Sequence, residues 1–215
     1  MARTPPPLTR PRLTTRRLLL WPVKPRFAPV MYEAIEESRS RLRRWLPFPD
    51  QTHRPEDLLP FIRRVSRNPH HAVWACWERR EGPRGGRVRG RLTGNVGLHN
   101  IQLDQGTATL GYWARTSTSG RGYVTEAASA VLLWAFDGLG LDRVSVEAGK
   151  GNAASLRVIR RLGFVREGVM RQAQRIPSRR QRIDWVTWGM IRGDLRTARA
   201  GLRERCGARR PWEAP

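Results

Sequence analysis

The sequence predicts a mixed α/β domain, a mostly antiparallel sheet with helices laid against it. Three observations carry that prediction. Leu92 to Leu103 and Thr107 to Ala114 alternate as two strands joined at Asp104-Gln105-Gly106, an antiparallel pair. The second strand runs into the turn Gly120-Arg121-Gly122, and a strongly periodic helix follows at once. Its apolar residues are Val124, Ala127, Ala128, Val131, Leu132, Ala135, Phe136 and Leu139. Further on, Asn152 to Leu162 reads as a compact helix, capped by Asn152 and stopped at Gly163, between two more strands.

In chain order, residues 1–11 read as a disordered, basic, proline-rich arm around Pro5-Pro6-Pro7. Arg12 to Pro22 contains Leu18-Leu19-Leu20-Trp21, a first strand. Ala28 to Trp45 reads as a helix with Met31, Ile35, Leu42 and Trp45 on its apolar side, stopped by Pro47. A second helix opens at Arg54-Pro55-Glu56-Asp57 and runs through Val65, with proline in its first turn and two acids at the positive end of its dipole. His71 to Glu78 alternates as a strand, and Arg79 to Gly90 reads as a charged, glycine-rich hairpin loop. After the long central helix comes the short strand Arg143 to Ala148. Phe164 to Gln172 and Ile183 to Ile191 close the pattern as strands flanking an arginine-rich turn, Arg175 to Arg182. From Arg192 onward the chain is basic and weakly patterned. The domain is therefore expected over residues 12–195, with a basic tail at 196–215.

The 215 residues carry a formal charge of +23, nearly all of it arginine, since the only lysines are Lys24 and Lys150. Such a field favours acidic partners and disfavours polycationic, spermidine-like ones, to a degree that salt screens. No run of about 18 apolar residues exists, so no membrane span is expected. Met1 to Arg17 has no apolar signal-peptide core. Cys76 and Cys206 lie far apart without a C-x-x-C, which suits a reducing, cytoplasmic setting, with Cys76 in a strand and Cys206 in the tail. No residues stand at metal-ligand spacing, and the scattered histidines give no Ser-His-Asp set, so no metal is expected. The tryptophans Trp45, Trp74, Trp77, Trp113, Trp134, Trp185 and Trp188 read as core or groove walls.

The glycine turn carries chemistry. A helix that begins directly after Gly-x-Gly presents unpaired N–H groups and the positive end of its dipole. Glycine also lets a pyrophosphate approach the backbone closely. Ser119 to Val124 therefore read as a cradle for a phosphate-bearing cofactor. The turn lacks the third glycine of a dinucleotide fingerprint, and mostly antiparallel strands disfavour a Rossmann sheet.

The ordered set of motifs resembles the GNAT superfamily of acetyl-CoA-dependent N-acetyltransferases, and more narrowly its RimJ/RimL branch. The matching pieces are Arg16-Arg17-Leu18-Leu19-Leu20, Leu42-Arg43-Arg44-Trp45-Leu46-Pro47-Phe48 and Gly94-Asn95-Val96-Gly97-Leu98. Gly111-Tyr112-Trp113, the glycine turn into Thr125-Glu126-Ala127, and Asn152-Ala153-Ala154-Ser155 through Leu162-Gly163-Phe164 follow, then Glu167-Gly168 and Asp184. The resemblance implies a splayed sheet with acetyl-CoA in the wedge between two diverging strands. It implies that Leu110 to Ala114, and so Tyr112, Trp113 and Ala114, pair with the pantetheine amides. Ser119, Gly120, Arg121, Gly122, Tyr123 and Val124 would hold the pyrophosphate, and Asn152 would contact the pantetheine arm. Departures are visible. The family pattern Q/R-x-x-G-x-G would put Gln or Arg at position 117, where this chain has Ser117. The tyrosine acid common in the second helix is replaced by Ile159, while Ser155, one turn earlier, matches a serine of RimL-like members. A carboxylate that some RimL-like members carry after Gln-Ala is absent from Gln172-Ala173-Gln174.

Acetyl transfer needs a neutral amine, an oxyanion site and a proton for the departing thiolate. Near pH 7.5 roughly a third of α-amines are neutral, against about a thousandth of lysines. A modest base therefore suffices for an N-terminus. Glu147 is the candidate base, with His99 or water as alternatives, and Ser155 is the candidate proton donor. Glu126 and Glu167 read as structural carboxylates. The function expected is direct transfer of acetyl to a protein N-terminus of the ribosomal-protein type. A small amine, amino acid or drug is the alternative acceptor, and a non-catalytic CoA-, RNA- or ribosome-binding module the further one. Ribosome association, and the choice between monomer and homodimer, are left open.

Overall fold

The computed structural model describes residues 8–82, 86–179, 181–207 and 210–213. Alternation in the early strands places side chains on two faces, and both faces are covered. β1 (Leu13–Thr14) and β2 (Leu18–Pro22) form the first hairpin. Leu18 and Leu20 point to one face and Leu19 to the other, and all three are buried. β3 (Ala72–Glu81) repeats the pattern, with Trp74 and Cys76 on the first face and Val73, Ala75 and Trp77 on the second.

The second face is covered by α1 (Ala28–Leu42) and α2 (Leu59–Arg67), which bury Met31, Ile35, Ile62 and Val65. The first face is covered by α3 (Tyr123–Leu133), which continues as a π turn over Trp134–Gly138. There Trp134 meets Trp74 edge to face at 5.1 Å. The remaining strands are β4 (Arg87–Gln102), β5 (Thr107–Ala114), β6 (Arg143–Gly149), β7 (Val165–Ile176) and β8 (Gln181–Ile191). Between β6 and β7 lies α4 (Ala153–Leu162), capped by Asn152 and ended by left-handed Gly163. The eight strands form one sheet in the order β1-β2-β3-β4-β5-β6-β8-β7, antiparallel throughout except at β5 and β6. The expected fold class stands.

Four details differ from the sequence reading. The hairpin loop expected at Arg79 to Gly90 is mostly strand, because Arg79 pairs with Arg89 and Glu81 with Arg87; residues 83–85 of the loop lie outside those described. The first helix ends at Leu42, which frees Trp45 to reach over the sheet. Residues 1–7 of the expected arm lie outside those described, but Leu8 is buried and Trp74 Nε1 donates to the Pro11 carbonyl at 2.8 Å. The expected tail begins as α5 (Arg192–Cys206), which buries Leu195, Leu202 and Cys206 against the α3 face. The chain then returns to the first strand, with the Thr14 N–H donating to the Pro211 carbonyl at 2.9 Å.

His99, on β4, lies with its Nδ1 3.2 Å from that of His71, and burial holds its imidazole down at about 4. An unfolded chain would take up this proton near pH 6.5. Between those two values the unfolded state binds a proton that the folded state does not, so stability falls as pH falls through the window. The full effect is about 3 kcal/mol. Melting temperatures from neutral pH down to about pH 4 should show this loss in the wild type and a shallower one in His99→Gln. Equal slopes would show that His99 is not responsible.

Candidate active site

β5 and β6 pair in parallel only where Thr107–Thr109 face Arg143–Ser145. Beyond that point Leu110–Ala114 remain on β4, and Val146–Gly149 remain on β8. The two strands therefore part, and a cleft of about 330 Å³ opens between them. It is lined by Leu110–Ala114, by Val146–Gly149, by the turn into α3, by the first turns of α4, and by Trp45 and Trp185.

At one end lies the glycine turn. Gly120 and Gly122 both have φ +79°, a conformation that glycine adopts without strain. Beyond its two chain neighbours, no described residue comes within 4 Å of where a β-carbon at Gly120 would stand, so the backbone there is open to a ligand. Gly122 caps α3 with no side-chain acceptor, which leaves the first-turn N–H groups facing outward. Ser119, Gly120 and Arg121 are exposed, and Gly122, Tyr123 and Val124 half-buried.

Sequence reasoning missed the cation at this end. Arg41 reaches from α1, 78 residues away in the chain, to donate to Ser119 Oγ at 2.7 Å and to the Ala114 carbonyl. Its guanidinium lines the cleft. Arg17 stacks over the Tyr123 ring at 4.8 Å, and Arg91 donates to Ser117 Oγ at 3.4 Å. The turn that lacks a basic side chain at position 117 is thus ringed by arginines from other elements. The sequence signal for Arg41 was no more than an arginine on a helix already rich in them.

At the other end, the Ser155 N–H donates to Asn152 Oδ1 at 3.2 Å, so Asn152 works as the cap of α4. Ser155 Oγ lies 2.8 Å from the hydroxyl of Tyr112, whose ionisation burial pushes up to about 12. Tyr112 and Ser155 both line the cleft. Glu147 approaches from the opposite face of the sheet. Its neighbours Val146 and Ala148 are buried in the α3 core, and a β-carbon at Gly149 would lie 2.7 Å from the Trp45 ring, which fixes the face. Burial raises the Glu147 carboxyl, opposed by a backbone hydrogen bond and by Arg143.

His99 is not among the cleft-lining side chains, and its lowered basicity makes it a poor proton acceptor. Ile159 is fully buried. Glu126 is buried and accepts from Thr15 and Arg17, while Glu167 holds Arg143. Cys76 and Cys206 are buried and neither lines the cleft. Among the described residues no group of His, Cys, Asp or Glu is placed to hold a metal ion.

A parted sheet with a glycine-capped helix at its mouth defines the class of acyl-CoA-binding transferases. The family profile described as "Acetyltransferase (GNAT) domain" matches residues 17–165. The "Putative ribosomal N-acetyltransferase YdaF" of Bacillus subtilis is 31% identical over 155 residues, covering 69% of this chain and 78% of that protein. RimL, named as the α-N-protein acetyltransferase of ribosomal L7/L12 and solved with coenzyme A, superposes with a TM-score of 0.72 at 19% identity, over 83% of this chain and 96% of that one. The microcin C7 self-immunity acetyltransferase MccE, solved with acetyl-CoA and AMP, superposes with a TM-score of 0.72 at 19% identity, over 82% and 93%. At those identities the two structures speak for the fold alone. The chain belongs to the GNAT family of acetyl-CoA-dependent N-acetyltransferases.

Proposed function

We propose that the protein transfers the acetyl group of acetyl-CoA directly to the N-terminal α-amine of a protein. The observation that carries this reading is Glu147, the one carboxylate among the described residues lining the cleft, half-buried on the Trp45 face. A carboxylate is better matched to an α-amine, already partly neutral near pH 7.5, than to the far more basic lysine. Its negative charge beside Trp45, Trp113 and Trp185 suits an incoming ammonium, through charge and through the aromatic faces. The likeness to YdaF, named for a ribosomal acceptor, supports the same choice.

In this reading the N–H groups of Gly120 to Val124 hold the pyrophosphate, since Ser119 gives its own to the Thr116 carbonyl, and the edge of Tyr112, Trp113 and Ala114 that β6 leaves unpaired pairs with the pantetheine arm. Asn152 fixes the start of α4 beside it. Glu147 takes a proton from the amine, directly or through water. The amine nitrogen then bonds to the acetyl carbon, the carbon–sulfur bond breaks, and the sulfur takes a proton from Ser155. The buried positions of both cysteines support direct transfer without an acetyl-cysteine stage.

Arg41 supplies a charge to the pyrophosphate end. Arg41→Ala should raise KM for acetyl-CoA by about tenfold and leave kcat within about twofold, since the lost contact is the same in the ground and transition states. An unchanged KM in steady-state assays would remove Arg41 from the binding site.

The acceptor is tested by incubating the protein with labelled acetyl-CoA, a set of short peptides with free or blocked N-termini, and a set of small amines. Acetylation of free N-termini alone is expected. Labelling confined to small amines, the chemistry of drug or amino-acid acetylation, would overturn the proposal.

A further inference from the structure

We propose that Tyr112 is a positioning residue for Ser155: its phenol donates to the serine oxygen and leaves the serine hydrogen aimed into the cleft, where the thiolate of coenzyme A departs. The inference rests on the reading of Ser155 as proton donor. β5 sends Leu110 and Tyr112 to the α4 side, Leu110 into the core and Tyr112 to the cleft wall. The Asn152 cap fixes the backbone of Ser155 and leaves its hydroxyl free to rotate. The protein partner of that hydroxyl is Tyr112, at 2.8 Å, and the phenol also lies 3.4 Å from the Ser155 carbonyl.

A phenol is a much stronger hydrogen-bond donor than an aliphatic alcohol, so within the pair the phenol gives and the serine accepts. The serine hydrogen is then free, and the bond it accepts polarises it further. Burial keeps the phenol protonated throughout the working range. One turn further along α4, Ile159 is fully buried, so that helix offers no phenol there and β5 supplies one from across the cleft.

In the step itself the carbon–sulfur bond breaks as the sulfur takes the Ser155 hydrogen. The nitrogen's second proton, shed as the tetrahedral intermediate collapses, passes through water in the open cleft to Ser155 Oγ, and Tyr112 keeps its own.

The test is a double-mutant cycle on thiol release from acetyl-CoA, using Tyr112→Phe, Ser155→Ala and both together. Release is followed with an α-amine peptide and with water alone as acceptor. Tyr112→Phe should lower kcat about tenfold with KM for acetyl-CoA within about twofold, and Ser155→Ala should lower kcat about 10²-fold. The double variant should be no slower than Ser155→Ala, because the phenol acts only through the serine. Additive losses, or an unchanged kcat in Tyr112→Phe, would overturn the proposal. If Tyr112→Phe does not fold, site-specific 3-fluorotyrosine keeps the packing and strengthens the donor. It should then shift kcat only when Ser155 is present, and no shift would equally overturn the proposal. A peptide that is never acetylated refutes the N-terminal reading, while the cycle on hydrolysis still decides this one.

Discussion

Glu147→Gln is expected to lower kcat with an α-amine acceptor by about 10²-fold and to remove the carboxylate's own limb from the acid side of its pH profile. The reason lies in where the carboxylate sits. It faces the Trp45 side of the cleft, across the sheet from Ser155, and burial raises its ionisation above its ordinary value. The active form is the ionised one, so turnover falls as pH falls through that raised value. Glutamine keeps the size of the side chain and removes the base. The variant should then follow the α-amine alone, rising toward about pH 8. KM for acetyl-CoA should stay within about twofold, because the pyrophosphate turn lies at the far end of the cleft. Rates measured from about pH 5 to about pH 9 decide it. A profile identical to wild type would remove Glu147 from proton transfer.

Glu126→Ala is expected to destabilise the fold by about 3 kcal/mol, a fall in melting temperature of roughly 6–12 °C. Glu126 is 1% exposed in the first turn of α3. It accepts from Thr15 Oγ1 at 2.7 Å, from the Arg17 backbone N–H at 2.8 Å and from Arg17 Nε at 2.7 Å. Removing it leaves donors buried without a partner, and that cost exceeds the value of any single bond. The figure is set at the low end for a broken buried pair, because the Arg17 side chain is 39% exposed and can turn to water. Glu126→Gln should lose less, since one acceptor oxygen remains. Thermal unfolding of the two variants checks this. A loss below about 1 kcal/mol in Glu126→Ala would mean that the tie between the first hairpin and α3 carries little.

Glu126 also marks what the sequence could show. Its position in a helix first turn was readable from Gly122 and the apolar period of α3, and so was its structural character. Its partners were not, because they stand 109 and 111 residues earlier. The same division holds across the molecule. The central strands, the glycine turn and the capped α4 were legible because local turn chemistry and period sufficed to specify them. α5 was hidden, although Leu195, Leu202, Cys206 and the left-handed Gly207 cap were there to be read. Arginines between those positions masked the apolar stripe, and long arginine stems lie along such a surface without breaking it. In the site, Glu147, Ser155 and Asn152 could be placed by position along the chain. The Tyr112 phenol at Ser155 and the Arg41 guanidinium at Ser119 could not, because those contacts exist only once α1, β5 and α4 are brought together by the sheet.

The most direct measurement is a titration of ¹⁵N-labelled protein with coenzyme A, followed amide by amide. If the parted strands and the glycine turn form the cofactor site, the amides of Gly120, Arg121, Gly122, Tyr123 and Val124 shift together with those of Tyr112, Trp113 and Ala114. They do so along a single binding curve. Saturable binding that leaves those amides unmoved, and shifts instead the arginine-lined hollow at Arg16, Arg79, Arg80 and Arg87, would contradict it.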